Sequence, residues 1–275
     1  DCAVILRTLD QHHTALRRVF TRYSIPFFLD RREPVAHHPL AELTRFALRT
    51  LAYGWQGEDF FGALKSGLVH DCDADLDWLE NLALAHGWHG AHWLTPLHVP
   101  EAKFNLARAE HLRAQLTAPF LQLAADLAAN STLNQSLHTS AATGAQLAQA
   151  LRRFWDTLDL EARLAAWDDA LAAEARPTAA RALHATVLRQ LHAWLDNLER
   201  AFPDDSPALP LREWLPILEA GLSTLTVGVI PPALDQVLIG TVDRSRNPEL
   251  HLALVPGLNE GVFPAPPAAP VSTRV

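Results

Sequence analysis

The chain has 275 residues, 49% of them apolar, and a formal charge of −8 with the histidines neutral. This length accommodates one large domain or two ordinary ones with a buried core, and the acidic balance argues against a protein that coats nucleic acid nonspecifically. Its two cysteines, Cys2 and Cys72, exclude a disulfide framework and a cysteine-based zinc ribbon.

No run of about eighteen apolar residues is present to span a membrane, and no cationic-then-apolar leader opens the chain. A reducing cytoplasm is the compartment these features fit. Methionine is absent throughout, and the first residues already read as a strand, so an excised piece of a longer protein is expected.

Ala3 to Leu6 is short, apolar and partly β-branched, as in a buried strand. Asp10 is placed to cap a helix running to about Tyr23, with Ala15, Leu16, Val19, Phe20 and Tyr23 on one face. Ser24 stops it, and Pro26 biases Ile25 toward extended structure, so Phe27 to Leu29 is a second strand.

From about Pro39 the apolar period becomes 3.6, and Pro39 suits a first helical turn. Roughly seven helices follow by apolar spacing. Their stripes are Leu40 to Leu51, Leu76 to Ala83, Leu112 to Leu127 with a kink at Pro119, Leu147 to Leu158, Leu160 to Leu171, Leu183 to Phe202, and Trp214 to Leu225. Trp155, Trp167, Trp194 and Trp214 lie on these stripes, where core packing is the default over base stacking.

Strand patterns return at Gln236 to Thr241 and at Leu250 to Val255, and a proline-rich stretch follows from Pro264 to Pro270, which reads as extended or disordered. Each α/β flank offers too few strands for a sheet with its own core. One sheet shared by both flanks, with the helical block as an excursion from it, solves that problem. The fold class is therefore α/β plus all-α.

Several segments resemble one family. Ala3-Val4-Ile5-Leu6-Arg7, with Ser24 to Asp30, is similar to the opening of the second RecA-like domain of superfamily 1 helicases. Gln236 to Glu249 and Leu254 to Pro264 sit where those helicases return to that domain. UvrD-type members read T-x-H-x-x-K-G-x-E there; Thr241 and Glu249 match, while Asp243, Arg246 and Asn247 replace the histidine, lysine and glycine.

Those departures, with Gly257-Leu258-Asn259-Glu260-Gly261-Val262-Phe263-Pro264, resemble the AddB/RexB branch of bacterial helicase–nucleases. Ala63 to Leu68, Leu79-Glu80-Asn81, Gly87 to Gly90 and Trp93 resemble stretches of the same branch. The resemblance implies a partial, discontinuous second RecA-like domain over residues 1–36 and 227–275, with an inserted all-helical domain over 37–226.

By the same resemblance, Arg7 would face the γ-phosphate of ATP and Glu249 the nucleotide ribose. Thr241, Asp243, Arg244, Ser245 and Arg246 would occupy the DNA-facing motif, with His38 as a helix cap or a DNA-proximal contact. Arg244 and Arg246 flank a hydroxyl, which suits phosphate; Asp243 opposes phosphate unless it orients an arginine. The first 49 residues hold eight arginines against five acids, so binding would be local.

No phosphate-loop motif is present, and Gly57 to Lys65 is only a near miss. Two cysteines are too few for an iron–sulfur cluster. ATP and Mg²⁺ therefore belong to the parent protein, and the piece alone is expected to hold no cofactor and to be catalytically inactive. The implied partners are DNA, single-stranded or a duplex end, and an AddA-like helicase–nuclease subunit, in double-strand break repair by recombination. A helical protein-interaction module without DNA contact is the competing reading.

Two clusters tempt a metal reading. Asp71, Asp73, Asp75 and Asp77 lack the glycine and glutamate that an EF-hand needs, and read as a solvated helix start. His86, His89 and His92 share a face only if a helix survives Gly87 and Gly90, so no metal site is assigned.

Overall fold

The computed structural model describes residues 2–9, 12–30, 33–100, 103–129, 141–173, 183–227, 235–243, 250–261 and 263. The chain divides into two units, Asp1–Glu33 with Gly228–Val275, and Pro34–Val227.

The first unit is built on strands β1 (Cys2–Leu6) and β2 (Phe27–Leu29), joined through helix α1 (His13–Arg22), and on two strands from late in the chain. Those are numbered in chain order β7 (Val237–Thr241) and β8 (Leu252–Leu254), after the short strands of the second unit. The four form one parallel sheet in the order β2-β7-β1-β8. The two flanks share this sheet, because β7 fills the place between β1 and β2.

Register explains the fit. Leu29 lies opposite Ile239, and Ile239 opposite Val4. These residues sit in one row and form a small core with Leu6 and Leu9, against which Leu16 and Phe20 of α1 pack. The stripe expected on α1 is only partly used. Leu16 and Phe20 are half-buried, whereas Ala15, Val19 and Tyr23 are exposed. The expected cap, Asp10, lies outside the described residues; the residue before the helix is His12, whose side chain makes no capping bond.

The second unit is helical. Its described helices are α2 (Pro39–Ala52), α3 (Gly57–Leu64), α4 (Asp73–His86), α5 (Leu106–Ala129), α6 (Gly144–Thr157), α7 (Leu160–Ala173), α8 (Leu183–Ala201) and α9 (Leu211–Thr224). The short strands β4 (Ala141–Ala142) and β5 (Leu209–Pro210) pair antiparallel. At its two chain ends, β3 (Glu33–Pro34) pairs with β6 (Thr226–Val227), and Val35 N–H donates to Leu225 C=O at 2.9 Å.

Seven of these helices match the expected stripes; α3 is the addition. The stretch that nearly matches a phosphate loop is a helix burying Phe60, Phe61, Ala63 and Leu64. Its Gly62 lies against the Phe46 ring, so close that a Cβ would sit 2.9 Å from ring atoms. Pro119 is inside α5, as its position in the stripe requires.

The core centres on Trp55, Phe60, Trp93, Phe120 and Phe154, with ring centroids 4.9 to 6.0 Å apart in tilted or edge-on pairs. Trp155 and Trp214 are buried with their indole N–H groups satisfied, by Thr44 Oγ1 at 3.2 Å and Ala142 C=O at 2.9 Å. Arg113, also buried, reaches Glu110 through two nitrogens and Trp93 C=O at 2.8 Å.

Close approach of α9 to α8 depends on Gly221, where a Cβ would overlap the Trp194 indole ring. Gly221→Ala is expected to destabilise this unit by about 1–3 kcal/mol, the usual cost of overpacking, read from denaturant unfolding. A loss of under about 0.5 kcal/mol would show that the Trp194 ring yields freely.

The acidic run is a helix start, but a paired one. Asp73 and Asp75 occupy the first turn of α4, where the helix dipole favours them. Asp71 pairs with Arg163, Asp75 with Arg108 and His70, and Asp77 and Glu80 with Lys65. The hydrogen bond from Arg108, then that from His70, holds the Asp75 carboxyl below its usual range. Helix α4 ends at Gly87, which takes the left-handed conformation (φ 66°). His89 and His92 bond backbone carbonyls beyond it, at 2.7 and 2.8 Å. Among the described residues no cluster of three or more His, Cys, Asp or Glu side chains is arranged to hold a metal ion. Nor, among them, is any helix long and apolar enough to cross a membrane.

Candidate functional site

In an open parallel sheet the carboxyl ends of all strands lie on one edge, and ligands bind there because loops and helix termini converge on it. Here that edge is formed by Arg7 after β1, Asp30 after β2, Thr241 closing β7 with Val242 and Asp243 behind it, and Val255 after β8.

Pairing places these residues side by side. Leu6 lies opposite Thr241, and Val242 N–H donates to Leu6 C=O at 2.9 Å. Arg7 and Asp243 therefore follow two neighbouring strands at nearly the same level. On the other side of β7, Asp30 N–H donates to Ile239 C=O at 2.8 Å. A Cβ on Gly240 would lie 3.7 Å from the Asp30 Cβ, so Asp30 stands beside β7 one residue before Thr241.

Of the residues singled out in the sequence, Arg7, Thr241 and Asp243 are thus brought to one edge. Arg7 and Asp243 are exposed and Thr241 is half-buried. Arg244, Ser245, Arg246 and Glu249 lie outside the described residues. Asp30 is the edge residue that motif reasoning passes over; its place at the end of a strand is the available signal. A guanidinium, a hydroxyl and carboxylates at such an edge can grip phosphate oxygens and orient the gripping cation.

His38 belongs elsewhere, in the helical unit, and the structure gives it the capping role. Its Nδ1 accepts from Leu40 N–H at 3.2 Å at the start of α2. Its Nε2 lies 2.8 Å from Nδ1 of His184. Because Nδ1 of His38 accepts, the proton sits on Nε2 and is donated to His184, and both rings are held neutral. Burial, then the nearby His184, pushes His38 down to about 4. Burial also lowers His184, against the opposing pull of Asp168. Asp168 is itself buried and accepts from His184 and Ala185 N–H at 3.2 and 3.0 Å, capping α8. Both ring nitrogens of His38 are thus engaged within the helical unit.

No family model matches the chain. Individual proteins do. The chain is 36% identical over 275 residues to the B subunit of the ATP-dependent helicase/deoxyribonuclease of Desulforudis audaxviator. It is 37% identical over 273 residues to the protein of that name from Moorella thermoacetica, and 33% over 288 residues to that from Geobacillus thermodenitrificans. Each alignment covers 96% of this chain.

The chain corresponds to a segment of the AddB helicase/deoxyribonuclease subunits. It spans 23–24% of the length of these relatives. Each alignment covers nearly the whole chain, so both the sheet and the helical unit fall within it.

Proposed function

We propose that the chain supplies a nucleotide- and DNA-facing segment of an AddB-like subunit, acting with an AddA-like partner in the repair of DNA double-strand breaks by recombination in the cytoplasm. In this reading residues 1–36 and 227–275 are the second RecA-like domain and residues 37–226 a helical domain inserted into it. The carrying observation is β7, which returns from the far end of the chain to lie between β1 and β2 and sets Thr241 opposite Leu6.

In this reading the residues named by the resemblance each have a job. Arg7 presents positive charge toward the γ-phosphate, where negative charge develops during phosphoryl transfer. Thr241, with Arg244, Ser245 and Arg246 after it, contacts the DNA backbone through hydroxyl and guanidinium groups. Asp243 orients an arginine of that loop, and Glu249 meets the ribose. ATP and Mg²⁺ are held mainly by a phosphate loop elsewhere in the parent. The chain alone therefore turns over no ATP, and clear hydrolysis stimulated by single-stranded DNA would overturn this.

The test of the DNA role is Arg244→Ala with Arg246→Ala in the parent complex. Affinity for single-stranded DNA is expected to fall, and the slope of log K against log salt to shrink by about 1.4, since each lost phosphate contact on a single strand removes about 0.7. Unchanged affinity and slope would remove the loop from the DNA path and favour a purely protein-binding role.

A further inference from the structure

Two exposed histidines are held as a pair by the turn that follows α4. The helix ends at Gly87, and a short 3-10 turn runs from Gly90 to Trp93. No α-helix survives the two glycines, as the sequence implies. The turn nevertheless brings His89 and His92 together, with ring centres 5.6 Å apart and ring planes at 58°.

The turn is anchored on both sides. Trp88 and Trp93 are buried in the core. Trp88 N–H donates to Ala83 C=O at 2.9 Å, and Gly90 N–H to Trp55 C=O at 3.0 Å. Gly90 takes the left-handed conformation that favours glycine (φ 59°). A backbone fixed in this way spares a ligand the cost of ordering it.

Hydrogen bonding also fixes which ring nitrogen carries the proton. Nδ1 of His89 lies 2.7 Å from Gly87 C=O, and Nδ1 of His92 lies 2.8 Å from His89 C=O. A carbonyl oxygen only accepts, so each Nδ1 bears hydrogen and donates. His92 Nδ1 is also 3.4 Å from His89 N–H, a contact too long to reverse that assignment. In the uncharged ring the lone pair is therefore on Nε2. Both rings are exposed, and among the described residues neither Nε2 is engaged in a hydrogen bond or ion pair. Nδ1–H on a backbone carbonyl with Nε2 bare is the arrangement that orients a metal-binding histidine.

We infer that His89 and His92 bind one zinc ion through their Nε2 atoms, with water filling its other positions. An ion about 2.1 Å from each Nε2 sits about 3.2 Å from each ring centre, and a tetrahedral angle then sets the centres about 5.2 Å apart. The observed 5.6 Å is within a small side-chain adjustment of that spacing. Two imidazoles suit zinc, copper or nickel, whereas magnesium and calcium take oxygen ligands. His86 has a different role, its ring stacked on Trp88 and packed against Phe104. With two protein ligands instead of the four of a structural zinc site, occupancy is reversible and the turn folds without the ion.

Zinc titration of the full-length protein, followed by calorimetry, tests this. His89→Asn and His92→Asn each keep an amide N–H near the place of Nδ1 and lack Nε2, so the turn is retained and the ligand lost. Each should abolish one zinc-binding event or weaken it roughly tenfold or more, since losing even an outer-shell partner costs about that much. His98→Ala, at an exposed histidine farther along the chain, should leave the titration unchanged. In zinc-soaked crystals, anomalous scattering should place the ion within bonding distance of both Nε2 atoms. Equal titrations for the wild type and both asparagine variants would overturn the inference. So would an equal loss in His98→Ala, or density on one ring alone, which would mean an adventitious ion only. None of these readouts involves DNA or ATP, so the proposed function stands or falls separately.

Discussion

Phe120→Ala should cost the helical unit about 3–5 kcal/mol, the loss expected when a fully buried aromatic side chain is deleted. Phe120 is completely buried in α5 and meets three rings, Trp55 at 6.0 Å and Phe60 and Phe154 each at 5.4 Å. Those rings come from two separate stretches of chain, residues 55–60 and Phe154, and rigid neighbours collapse poorly into a void. Denaturant unfolding followed by tryptophan fluorescence would report the change, since Trp55 lies in the cluster. The control is Leu121→Ala, one residue along and 36% exposed, which should cost clearly less. Similar losses for the two variants would mean that the cluster is not the centre of the unit.

Acid should destabilise the same unit through His38. The ring is pushed down to about 4, from an ordinary histidine value of 6.5. The unfolded chain therefore binds a proton that the folded chain refuses between those two values. Stability from this group is complete above pH 6.5, falls as the pH drops toward 4, and falls no further below that. The whole effect is about 3 kcal/mol. His184 is lowered as well and acts in the same direction. His38→Asn keeps an acceptor for the Leu40 N–H and removes the titration. The variant is expected to be weaker than the wild type at about pH 7.5, and to lose less than the wild type between about pH 7 and pH 4.5. Equal losses would show that other groups govern the acid response.

How much of this is legible beforehand depends on distance along the chain. The stripe Leu183, Val187, Leu191 and Leu198 is local, and α8 follows it with Val187, Leu191, Leu195 and Leu198 buried. Pro39 opens α2 as the first-turn preference of proline requires. Helix α3 is hidden in the sequence because Gly57 and Gly62 lower helix propensity and its eight residues are too few for the spacing of Phe60, Phe61, Ala63 and Leu64 to stand out as a stripe. What makes it a helix is its packing against α2, which no local pattern encodes.

The candidate edge divides in the same way. Residue type and order mark Arg7, Thr241 and Asp243, and β1 and β7 are visible as short apolar, partly β-branched runs. That β7 lies between β1 and β2, with Thr241 opposite Leu6, is decided by tertiary structure, because pairing between remote strands depends on rows of side chains meeting across the sheet. His38 shows the converse. A histidine before Pro39 reads as a cap or a DNA contact, and folding turned its free nitrogen to His184, 146 residues away. Sequence by itself determined the local elements, through propensity, period and capping. The shared sheet and the neutral histidine pair arose only when distant segments met and satisfied one another.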